Sequence, residues 1–128
     1  MTTVKLVQGR NEIYNEAGLQ LVGSTAPNQN GLSPRELLEA AVGLCVSISL
    51  QKVLERDQIE YDPSSIRVDV SAVKEGDVTN RFTHFNVLVK LPDNLDAAYR
   101  QKLLTVVERA CTISNTLKSG AVVDIAEA

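Results

Sequence analysis

One run of the chain, "SPRELLEAAVGLCVSISLQKVLER" at 33–56, constrains the fold more than any other. It opens with the chemistry of a helix start. Ser33 is placed to be an N-cap, and Pro34 takes the first helical position. Glu36, three residues after Ser33, completes a capping box in which each side chain satisfies an otherwise unpaired backbone N–H. Lys52, Glu55 and Arg56 close the run with charge. Between these ends Leu38, Ala41, Cys45 and Ile48 recur at helical spacing, and so do Leu37, Ala41, Leu44 and Ile48. The middle is small and apolar on nearly every side, as in a central buried helix. Such a helix is roughly 35 Å long. One small sheet cannot cover that much apolar surface, so a partner surface is expected.

The rest of the chain supplies the sheet. "TVKLVQ" and "LQLVG" predict short strands, with a turn in "NEIYNEAG" between them, and "GSTAPNQNG" predicts a loop. In "SSIRVDVSAV", Ile66, Val68, Val70 and Ala72 alternate with polar partners. "KEGD" turns the chain. In "RFTHFNVLVKL", Phe85, Val87, Val89 and Leu91 share one face while His84, Asn86 and Lys90 take the other. These two segments predict an antiparallel hairpin. Asp93 or Asn94 caps a second helix through "AAYRQKLLTVVERAC", whose stripe is Leu103 or Leu104, Val107, Ala110 and Cys111. "TISNTLKSG" adds a short helix and "AVVDIAE" a final strand. The expected architecture is α+β: a mostly antiparallel sheet with two main helices, in the order β-β-α-β-β-α-(α)-β, forming a single domain over 1–128.

Composition narrows the function classes. The net charge is −3, and the 13 Lys and Arg form no basic stripe, which argues against nucleic acid as a partner. No stretch reaches the roughly 18 to 20 consecutive apolar residues of a membrane span. "MTTVKLVQGR" lacks the apolar run and cleavage site of a secretory signal. A cytoplasmic location is therefore expected, where thiols are normally kept reduced. Two cysteines are too few for a disulfide scaffold or a four-thiolate metal site, and His84 is the only histidine. No metal or organic cofactor is expected, since there is neither a P-loop nor a dinucleotide glycine fingerprint.

The two cysteines, Cys45 and Cys111, both fall on apolar helical stripes. Helices packed on one sheet often lie side by side, although bridging needs Cα atoms within about 7 Å. After Cys111, Ser114 or Asn115 is placed to cap a fresh helical turn. If the long helix breaks at Cys111, its sulfur faces unpaired backbone N–H groups, which lower a thiol's pKa. Cys45 lies mid-helix, so its activation needs a cation from elsewhere.

"SPRELLEAAVGLC" resembles the segment before the first cysteine of the OsmC/Ohr family, the osmotically inducible protein C and organic hydroperoxide resistance proteins. "ERACTISNTLKSG" resembles the family's second-cysteine motif, and "RFTHFNVLVKL" its long strand. "RFTHF" and the short N-terminal segment resemble a less characterised branch more than the established peroxidases. The resemblance implies an intertwined homodimer with both cysteines on central helices. It also implies thiol-dependent reduction of organic hydroperoxides. In that chemistry Cys45 attacks the O–O bond and becomes a sulfenic acid, Cys111 condenses with it to a disulfide, and an external dithiol reductant restores the pair.

The peroxidase branches also place an arginine beside the thiolate, held by a glutamate directly after the helix-start proline. Here Arg35 follows Pro34, and the acid comes one place later, at Glu36. One helical position is about 100° of rotation, so Glu36 does not simply substitute. Arg10 and Arg35 are the candidate guanidinium donors, with Arg81 a weaker one. The rival expectation is a non-catalytic or redox-sensing dimer that binds a small apolar or thiol-containing ligand in its interface pocket.

Overall fold

The structure is a computed structural model that describes Met1–Ala128. The chain forms an α+β fold and divides into two compact units, Met1–Ala40 and Ala41–Ala128.

The first unit holds an antiparallel three-stranded sheet of β1 (Thr3–Val7), β2 (Arg10–Asn15) and β3 (Gly18–Gly23), in that order. β1 and β2 meet through a two-residue turn in which Gln8 (φ 50°) and Gly9 (φ 80°) both take positive φ. That is the backbone twist a tight hairpin requires, and glycine adopts it without steric cost. The sequence reading placed only a turn in "NEIYNEAG", yet most of that segment is β2. The strand is held between β1 and β3 by antiparallel pairing on both edges, and it carries a set of mutually bonded side chains. Glu12 is only 6 % exposed, and it accepts from Arg10 Nη2 at 3.0 Å and from the Tyr14 hydroxyl at 2.7 Å. A buried carboxylate needs such partners, and positions 10, 12 and 14 share one face of a strand.

Helix α1 (Pro34–Arg56) begins in this unit and runs on into the second. Its start is the expected capping box. Ser33 Oγ accepts from the Glu36 backbone N–H at 3.3 Å, and Glu36 Oε1 accepts from the Ser33 backbone N–H at 2.9 Å and hydroxyl at 2.8 Å. The backbone bond above all, with the hydroxyl bond, holds the Glu36 carboxyl below its ordinary pKa.

The second unit contains the core. β4 (Arg67–Val73) pairs antiparallel with β5 (His84–Lys90), from Arg67 opposite Lys90 to Val73 opposite His84. The predicted alternation holds: Phe85, Val87 and Val89 are half-buried, and His84, Asn86 and Lys90 are exposed. α1 lies close against β4 at Gly43, where a Cβ would sit 3.3 Å from Val70 Cγ2. Around this contact Val42, Val46, Leu50, Val53 and Leu54 of α1 join Leu91, Leu95, Leu103, Val107 and Cys111 in one buried cluster.

Several expectations need correcting. The buried stripe of α1 is not the predicted one, since Leu44 is 63 % and Ile48 41 % exposed. A helix apolar on all sides does not reveal which side faces the sheet. α1 is also long and apolar enough, with a window of mean hydropathy 1.6, to cross a bilayer by length and composition. Val42, Val46, Leu50, Val53 and Leu54 on this helix stand in the buried cluster. α2 (Ala97–Ala110) is capped by Asp96, which accepts from the Tyr99 backbone N–H at 2.8 Å, and not by Asp93 or Asn94. Asn94 instead donates to the Glu60 carbonyl at 2.8 Å, and the buried Leu95 delays the helix start. α3 (Thr112–Ser119) follows as expected, but no strand forms after it; Val122, Val123 and Ile125 are almost fully exposed.

Candidate functional site around Cys111 and Cys45

The site is built where α2 gives way to α3. Cys111 takes an extended conformation (φ −73°, ψ 103°) and serves both helices. Its N–H donates to the Val107 carbonyl at 3.0 Å, ending α2, and its carbonyl accepts from the Asn115 N–H at 3.0 Å, starting α3. Asn115 Nδ2 donates to the Arg109 carbonyl at 3.0 Å, occupying one of the carbonyls that a helix end leaves unpaired.

Sequence reading offered Ser114 or Asn115 as the cap of α3, yet the cap is Cys111 itself. Its Sγ accepts from the Ser114 N–H at 3.5 Å and from the Ser114 hydroxyl at 3.1 Å. Cys111 is fully buried and Cys45 half-buried, and both are free thiols. The Cys45 side chain is near enough to be one of the causes that lower the Cys111 thiol's pKa. Burial pushes the Cys111 thiol up. The Cys45 side chain and the hydrogen bonds from the Ser114 hydroxyl and from the N–H groups of Ser114 and Ile113 outweigh it, and the thiol lies below its ordinary pKa.

Cys111 and Ser114 open onto a cavity of about 640 Å³. Val42, Val46, Val87, Val89, Leu104 and Val107 supply apolar wall, and Arg81, His84 and Lys118 bring cationic or titratable groups to it. Lys118 pairs with Glu108 at 3.5 Å and His84 Nδ1 with Glu75 at 3.2 Å. An apolar cleft with a few polar groups and an acidified thiol suits a small, largely apolar, thiol-reactive molecule. No group of three His, Cys, Asp or Glu side chains is arranged to hold a metal ion.

The electrostatic candidates Arg10, Arg35 and Glu36 lie in the N-terminal unit with local partners. Arg10 pairs with the buried Glu12, Arg35 Nε lies 4.0 Å from Glu39 Oε1, and Glu36 is engaged by Ser33. Two side-chain roles in the structure are not predicted by the sequence alone, one in the N-terminal sheet and one at the site. Glu12 was signalled only by its place between Arg10 and Tyr14 at strand spacing. Ser114 was seen as a cap but not as a donor to sulfur.

The profile of the OsmC-like protein family matches residues 26–126. Among solved structures, the chain is similar to an OsmC-like protein from Mycoplasma pneumoniae, at 14 % identity over 92 % of this chain and 86 % of that one, with a TM-score of 0.77. It is similar to the organic hydroperoxide resistance protein OhrB of Bacillus subtilis, at 23 % identity over 92 % and 90 %, TM-score 0.59. It is also similar to the organic hydroperoxide resistance protein OsmC of Legionella pneumophila, at 17 % identity over 92 % and 89 %, TM-score 0.60. No protein of curated function matches the sequence significantly. At these identities the structural likenesses establish the fold, and the profile match over most of the chain establishes the lineage: this protein belongs to the OsmC-like family.

Proposed function

We propose that this protein is a thiol-dependent peroxidase that reduces organic hydroperoxides through a two-cysteine cycle. The observation that carries the reading is that the Cys45 side chain acts on the Cys111 thiol and lowers its pKa, although the two residues, the only cysteines in the chain, are far apart in sequence. Organic hydroperoxide resistance proteins among the structural likenesses support it. In the proposed cycle Cys45, as thiolate, attacks one oxygen of the O–O bond; the other oxygen leaves with a proton as the alcohol, and Cys45 becomes a sulfenic acid. The Cys111 thiolate attacks that sulfur, water departs, and a disulfide forms. A dithiol reductant then restores both thiols. No metal or organic cofactor takes part. The whole chain, 1–128, acts as one cytoplasmic domain in this reading.

The test is stoichiometric. One equivalent of an alkyl hydroperoxide should convert both free thiols to an intramolecular disulfide, seen as a loss of two hydrogens in the intact mass and full recovery with a dithiol. Thiols that stay reduced would end the peroxidase reading. They would favour a dimeric module that binds a small apolar or thiol-containing ligand, whose signature is ligand-dependent melting.

A homodimer belongs to the same proposal, because Leu44 and Ile48 leave an apolar face of α1 exposed. Light scattering should give twice the 13.9 kDa chain mass at micromolar concentration, and Leu44→Lys with Ile48→Lys should shift it toward the single-chain value. A wild-type chain that scatters as one chain refutes the dimer.

A further inference from the structure

Hydroxyl side chains inside helices usually turn back to the carbonyl one turn earlier. This chain does so twice: Thr105 Oγ1 donates to the Gln101 carbonyl at 3.0 Å, and Thr116 Oγ1 to the Thr112 carbonyl at 2.8 Å. Ser114, inside the first turn of α3, does not. Its hydroxyl is directed at Cys111 Sγ at 3.1 Å, closer than its own backbone N–H at 3.5 Å. Capping α3 needs only the N–H. The hydroxyl bond is additional, it is made to a fully buried sulfur, and Ser114 stands with that sulfur on the wall of the cavity.

We infer that Ser114 is a positioning residue for Cys111, its hydroxyl and N–H together holding the sulfur in place and in the thiolate form. The inference rests on the two-cysteine reading for its purpose, though not for its test. In the cycle the held thiolate has two uses. It is the nucleophile that attacks the sulfenic sulfur of Cys45, forming the S–S bond as the S–O bond breaks and hydroxide leaves with a proton as water. When the thiolate of a dithiol reductant later attacks Cys45, the S–S bond breaks and Cys111 departs as the thiolate that Ser114 already accommodates. The better-stabilised thiolate is the better leaving group, which directs the incoming reductant to Cys45.

The experiment is a peroxide-free titration. In Cys45→Ala the only remaining cysteine is Cys111, and the ultraviolet absorbance of its thiolate, taken as a difference from Cys45→Ala/Cys111→Ala, reports ionisation without requiring a reagent to reach a buried atom. Ser114→Ala in that background should move the midpoint upward by about one pH unit, so that the thiolate population below the midpoint falls about tenfold, in line with loss of a hydrogen bond to a charged group. Ser114→Thr should restore it. Should Ser114→Ala fail to fold, Ser114→Val compared with Ser114→Thr, two side chains of one shape, isolates the hydroxyl instead. A midpoint unmoved by loss of the hydroxyl, or displaced equally in Ser114→Thr, overturns the inference. Because no hydroperoxide is used, either result leaves the peroxidase reading to be judged separately on disulfide formation.

Discussion

Cys45→Ser is expected to cut the rate of organic hydroperoxide reduction by on the order of 10³-fold or more, measured by stopped-flow with an alkyl hydroperoxide and an excess of dithiol. The reason lies in the atom that is replaced. A thiolate is polarisable, is present in useful amounts near neutral pH, and can carry the oxygen as a sulfenic acid. A serine hydroxyl is not ionised and forms no stable product with that oxygen. Cys111→Ser should behave differently. It keeps the first attack and loses the resolving sulfur, so one equivalent of peroxide should leave a sulfenic acid that a dimedone-type reagent captures, and turnover should stall there. The double variant should be no slower than Cys45→Ser alone, because groups acting in one sequence do not contribute additively. Equal consumption of peroxide by wild type and Cys45→Ser would remove the peroxidase reading altogether.

The sequence made α1 legible because its boundary is written in local chemistry: a serine, a proline and a glutamate at fixed offsets make a capping box that needs nothing from the rest of the fold. It did not make the facing of α1 legible. Leu44 and Val42 are equally apolar, and which of them is buried depends on where Gly43 lets the backbone approach Val70. β2 was hidden for the opposite reason. Its composition is that of a turn, but it is the middle strand, paired with β1 and β3 on either side, and its buried Glu12 is satisfied by side chains two positions to either side. "AVVDIAE" has strong strand propensity but forms no strand, since propensity supplies no neighbouring edge to pair with.

The site divides along the same line. The break at Cys111 and the acidifying N–H groups followed from the residues around it, because helix ends obey local rules. That the Cys45 side chain reaches Cys111 is a tertiary fact which spacing leaves open. The depressed thiol pKa also has a consequence for stability. Relative to the unfolded chain, Cys111 ionisation stabilises the reduced fold at pH values above the unfolded thiol's pKa, and this contribution is lost as pH falls through the lower folded value.

Leu103→Ala should destabilise the reduced protein by about 2–5 kcal/mol, the range for deleting most of a well-packed leucine, measured by urea or thermal unfolding. Leu103 is 1 % exposed, and with Val107 it makes up the buried face of α2. The neighbouring Leu104, 41 % exposed, is the control: Leu104→Ala should cost less than about 1 kcal/mol. Local sequence could not choose between these two leucines, because adjacent helical positions differ by only about 100° of rotation. A second effect follows from where α2 ends. Cys111 is the C-cap of that helix, so the cavity left by Leu103→Ala loosens the element that sets the height of the sulfur against Cys45 and Ser114. The variant should therefore lose thiolate stabilisation at Cys111 while still folded, seen as a higher midpoint in the thiolate titration, and form its disulfide more slowly. Equal stability losses for Leu103→Ala and Leu104→Ala would mean that α2 docks on a different face, and the contacts described for Cys111 would go with it.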